Sequence, residues 1–146
     1  MSNLKALMQE LLIETVLFYD SGNRSMIENG FCVYKSEGER RCAVGRILTD
    51  EAIERILLDE RNTGFNASEV VRSYGPLAFL EKWRPIAEST EGMDFLGSLQ
   101  NLHDGANNWN EKGISLNGED RVRHIVKQLD LDLAPVLAAI EGKMNK

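Results

Sequence analysis

At 146 residues, with 42% apolar and 27% charged side chains, the chain can bury one core without staples and is too apolar to be disordered. Its 23 acidic residues outnumber 17 basic ones, for a net charge of −6. That balance argues against nucleic acid as the main partner, because nucleic-acid binders neutralise phosphates with Lys and Arg.

Two cysteines are too few for a disulfide scaffold and point to a reducing compartment. The first eighteen residues lack the basic start, unbroken apolar stretch and small-residue cleavage site of a secretory signal. No stretch reaches membrane-spanning length. The expectation is a cytoplasmic protein of one domain, residues 1–146.

The first element reads as a helix from about Asn3 to Asp20, with Leu4, Leu7, Met8, Leu11, Leu12, Val16 and Leu17 at helical spacing. The turn-forming DSGN at 20–23 ends it. "GFCVY" and "RCAVG" are short β-forming runs around a polar loop containing Gly38, which predicts an antiparallel hairpin over about residues 31–45. With Gly38 in the left-handed position after a type I turn, Cys32 falls opposite Cys42 and both thiols share one face.

Thr49 or Asp50 can cap a helix over roughly 51–61 whose buried stripe is Ile53, Ile56 and Leu57. A loop follows, then a short helix capped by Asn66 or Ser68 and broken at Gly75-Pro76. Pro76 suits the first turn of a helix reaching Trp83, which Pro85 kinks or ends. Residues 92–106 carry Phe95, Leu96, Leu99 and Leu102 as a further helix. Residues 105–118 read as loop, Asn117 as the cap of a helix over 119–129, and a last helix ends at Gly142. The class is α+β: a mostly helical domain packed around one small antiparallel hairpin.

Chemistry concentrates at 95–110. On a helix, Gln100, His103, Asp104 and Asn107 stand at i, i+3, i+4 and i+7, a polar stripe bordering the apolar one. Adjacent in sequence, His103 and Asp104 are not expected to face each other, so Asp104 pairs with Gln100 or solvent. His124 falls on the wet side of its helix with Asp120 and Gln128. The Cys32–Cys42 spacing is not a zinc knuckle, and Cys32 or Cys42 with His103 and Asp104 supplies the residue types of a thiol nucleophile, base and orienting group. The commonest role of such cysteines is that of small buried hydrophobes. No metal and no cofactor are expected.

Cys32-x-Tyr34, Gly38, "CAVG" at 42–45, "FLGSLQNLHD" at 95–104 and Trp109 together resemble a loose group of small uncharacterised proteins encoded by bacteria, phages and other mobile elements. The resemblance covers about half the chain. It implies that Cys32, Tyr34, Cys42, Gly45, Gln100, His103 and Asp104 belong to one pattern, and that the protein is mobile-element cargo acting on a host protein or a small molecule.

The expected function is therefore that of a small acidic accessory protein that binds a protein or small-molecule partner. Its expected surface comprises Tyr34, Gln100, His103, Asp104 and Trp109. The alternatives are a cysteine- and histidine-dependent hydrolase or transferase using Cys42 or Cys32 with His103 and Asp104, and a structural homo-oligomer, such as a homodimer, associating through its first helix.

Overall fold

The structure is a computed structural model and describes residues 3–24, 42–58 and 67–144. Helix α1 spans Asn3–Phe18 and buries Met8, Leu11, Leu12, Thr15 and Val16. Its main partner is the last helix, α7 (Leu133–Met144), which buries Val136 and Ile140. Met8, Leu11, Leu12 and Val16 of the α1 stripe are thus covered within the chain, whereas Leu17, expected among them, is exposed.

Two polar devices fasten this pair. The side chain of the nearly buried Gln9 donates to the Asp132 carbonyl and accepts from the Asp132 N–H, both at 2.9 Å. That two-way bridge holds the α7 entry as a neighbouring strand would. At the other end, Lys143 Nζ reaches the Tyr19 and Val16 carbonyls, satisfying acceptors at the α1 C-terminus.

Residues 42–45, expected in a strand, form a turn followed by a 3₁₀ segment, Gly45–Ile47. The remainder of the expected 31–45 hairpin, with Cys32, Tyr34 and Gly38, lies outside the described residues. Thr49 caps α2 (Asp50–Leu57), its side chain accepting from Ala52 N at 3.1 Å. Helix α3 (Ala67–Tyr74) stops before Gly75, whose φ of +78° suits glycine.

The single helix expected from Pro76 to Trp83 is instead two 3₁₀ segments, Pro76–Ala78 and Glu81–Trp83. Between them the chain bonds back to residues 47–49: Leu80 N–H donates to the Ile47 carbonyl at 2.8 Å, and Thr49 N–H to Ala78 at 2.8 Å. Those tertiary bonds take backbone groups a continuous helix would use internally. Pro85 opens a new short helix, α4 (Arg84–Ala87), where its missing N–H costs nothing.

Helix α5 (Thr90–Asp104) begins at a Ser89 cap, two residues earlier than expected. Gly92 permits the approach of α4: a Cβ there would lie 2.0 Å from the Ile86 carbonyl oxygen. After α5, a 3₁₀ turn (Ala106–Asn108) leads into β1 (Trp109–Asn110) and β2 (Gly113–Ile114), paired antiparallel with Trp109 opposite Ile114. The small antiparallel sheet of the α+β fold thus stands, among the described residues, at 109–114, a stretch expected to be loop.

Helix α6 (Leu116–Leu129) is capped by Ser115, not Asn117; Asn117 instead donates to Asn108 Oδ1 at 2.7 Å. Asp130, with φ 55° and ψ 47°, ends α6. Leu131 N–H bonds back to the Val126 carbonyl, the signature of a Schellman closure.

Phe95, Leu96, Leu99, Phe79, Ile86, Tyr19 and Val122 belong to one continuous apolar core joining α1, α4, α5 and α6. No helix among the described residues is long and apolar enough to cross a membrane.

Candidate functional site

The C-terminal half of α5 is where distant parts of the chain meet. The last four carbonyls of a helix have no partner within it. Here each is satisfied: Asn101 by Gly105 N–H, Leu102 by Asn108 Nδ2 and Trp109 Nε1, His103 by Trp109 Nε1 and Arg24, and Asp104 by Arg24. Arg24 spans the His103 and Asp104 carbonyls at 2.9 and 3.0 Å, placing a cation at the negative end of the helix.

On the side-chain side, Asp104 Oδ1 is the hub. Gln100 Nε2 donates to it at 2.8 Å, and His103 Nδ1 lies 2.8 Å from it. The second contact corrects the expectation that adjacent His103 and Asp104 would not meet: at the last turn the two side chains converge over the helix end. The Gln100 carbonyl oxygen accepts from Val44 N–H at 3.0 Å, tying the 42–45 turn to the same cluster.

His103 is fully buried. Its ring packs edge-on to Tyr19 with centroids 4.8 Å apart, and Tyr19 in turn meets Trp109 at 5.8 Å. Burial pushes the imidazole below its ordinary pKa of 6.5, against the raising influence of the Asp104 carboxylate; the nearby Arg24 charge lowers it further. Neutral His103 must carry its hydrogen on Nδ1, because the carboxylate it faces can only accept.

The expected site residues therefore separate by accessibility. Gln100 and Asp104 reach the surface, with the Asp104 side chain 33% exposed, whereas His103 and Trp109 are buried supports. Asn107 stands beyond α5 and points outward in the 3₁₀ turn. Cys42 is a buried free thiol whose sulfur accepts from Gly45 N–H at 3.3 Å, and His124 is exposed on α6, as its spacing implied. Tyr34 and Cys32 lie outside the described residues. Among the described residues no group of three or more His, Cys, Asp or Glu side chains could hold a metal ion.

No protein-family model, curated protein or solved structure matches the chain.

Three contributors to the cluster escaped the sequence: Tyr19, Arg24 and the Val44 backbone N–H. Tyr19 lies just past the helical stripe, and Arg24 is 79 positions from the nearer carbonyl it binds. No local pattern announces such a contact. The one signal at hand was the glycine-bounded turn after Cys42, whose free backbone donors required a partner.

Proposed function

We propose that the protein is a binding module whose contact surface is the C-terminal end of α5, and that it receives a cationic hydrogen-bond donor, an ammonium or guanidinium such as a basic peptide presents. The observation carrying this reading is the asymmetry of Asp104. Its Oδ1 is pinned by Gln100 and His103, while its Oδ2 accepts no hydrogen bond from any described residue, on a side chain one-third exposed.

A carboxylate held in one rotamer by two internal donors loses little freedom on binding, and charge-assisted donors bind such an acceptor strongly. Arg24 already offsets the negative helix end, so the attraction comes from the Asp104 carboxylate itself and from the chain's net charge of −6, which steers basic partners.

The test is calorimetric titration of the full chain with a short Lys- and Arg-rich peptide, against an Asp- and Glu-rich control. Asp104→Asn is the discriminating variant. Its remaining oxygen can still accept from Gln100 and His103, but the outward atom becomes a donor. Saturable binding of the basic peptide, weakened roughly tenfold or more by the substitution, is expected. Equal binding of both peptides, or indifference to Asp104→Asn, would refute the reading.

A further inference from the structure

On a different side of α5, its outer face meets α6 in a groove of about 190 Å³ lined by Ser98, Asn101, Arg121, His124 and Gln128 over a floor of Leu102 and Ile125. Leu102 and Ile125 are buried, while Asn101, Arg121, His124 and Gln128 are exposed. The chemistry of this lining is one-sided. Each of the five polar side chains can donate a hydrogen bond, and none is acidic.

The lining donors are also uncommitted. Ser98, Asn101, Arg121, His124 and Gln128 make no side-chain hydrogen bond or ion pair with any described residue. Neighbouring α6 charges do pair: Arg123 lies 3.1 Å from Glu119. Arg121 and His124 stand three residues apart, hence one helical turn, so both reach the same groove. Asn101 and Ser98 repeat that spacing on α5. Donors thus converge from two helices held together by the core beneath, so the backbone framework is set before any ligand arrives and the exposed side chains order on it.

We infer that the α5–α6 groove is a binding site for a small anion, a phosphate or carboxylate group on a compact molecule. Arg121 faces such a group with the planar fork that matches two oxygens at once. The His124 ring, the Ser98 hydroxyl and the two amides supply further donors. Leu102 and Ile125 offer a short apolar floor. The volume is below the roughly 300 Å³ at which drug-sized sites begin, so the fit is to a small anion and not to a nucleotide.

Phosphate and carboxylate share this chemistry, and the experiment separates them. Inorganic phosphate and succinate are each titrated into the isotope-labelled full chain at low ionic strength, with chloride as the control, following backbone amides. Saturable shifts confined to residues around Ser98, Asn101, Leu102, Arg121, His124 and Gln128 are expected with at least one probe. The probe that saturates names the group. Arg121→Gln and His124→Gln alter exposed side chains and leave the core intact. Arg121→Gln should weaken binding roughly tenfold or more, and His124→Gln by less. Shifts that fail to saturate, that scatter over other basic residues, or that survive Arg121→Gln unchanged would overturn the assignment.

Discussion

His103 Nδ1 lies 2.8 Å from Asp104 Oδ1, so two residues adjacent in sequence are joined through their side chains at the end of one helix. The bond fixes the imidazole tautomer and pins the carboxylate, and it does so beneath Tyr19 and beside Arg24. A buried neutral histidine supporting an aspartate one-third exposed makes a rigid acceptor, and the consequences can be measured.

Stability should depend on pH through His103. Burial lowers its folded pKa, whereas the unfolded chain takes up the same proton near 6.5. Between those two values the unfolded state binds more protons, so the stabilisation is fully present above 6.5 and is lost as pH falls toward the folded pKa. Urea unfolding at about pH 7.5 and about pH 5.5 should show lower stability at the lower pH, with a shallower dependence in His103→Gln. A steeper loss in the variant would contradict the assignment.

The Gln9 bridge should be worth more than its exposed neighbours. Gln9→Ala leaves the Asp132 N–H and carbonyl without their partners, at a cost of about 1–3 kcal/mol. Lys5→Ala removes an ion pair to the exposed Asp130 and should cost less than about 1 kcal/mol. Chemical denaturation of both variants checks the ranking.

Asp130 occupies the left-handed region with a side chain 92% exposed. Asp130→Gly relieves that conformation and forfeits only the Lys5 contact, so it should be neutral to stabilising by about 0.5–1 kcal/mol. The reverse experiment is Gly92→Ala. Its Cβ would lie 2.0 Å from a backbone oxygen, and separating α4 from α5 should cost about 1–3 kcal/mol or more. Thermal melts of the two variants should move in opposite directions.

Cys42 is fully buried, so iodoacetamide should label it slowly in the folded chain and rapidly in denaturant. Fast labelling of Cys42 in the native protein would revive a nucleophilic role.

What the sequence conveyed depended on the range of the interactions. Helix α1, the break at Gly75 and the apolar stripe of α5 follow from local periodicity and punctuation, and they stand where the pattern put them. Residues 42–45 read as a strand because Cys, Ala and Val suit one, but Gln100 takes the Val44 N–H and the chain turns into a 3₁₀ segment. The 109–114 pair was obscured by its turn, Glu111-Lys112, which lacks the usual glycine or asparagine. There the Asn110 side chain closes the turn by accepting from Lys112 N–H at 2.9 Å.

At the site, the i, i+3, i+4 spacing of Gln100, His103 and Asp104 was legible as one stripe. Which of the three would be buried was not, because the ring that packs on His103 is that of Tyr19, just past α1 and far away in the chain.

The central claim is that Asp104 presents an open, preorganised acceptor. Its most direct test is an amide chemical-shift titration of the full chain with arginine ethyl ester. Saturating shifts centred on Val44, Gln100, Asp104 and Gly105, abolished in Asp104→Asn, are predicted. Shifts that never saturate, or that follow acidic residues elsewhere such as Glu51, Glu88 and Glu91, would contradict it.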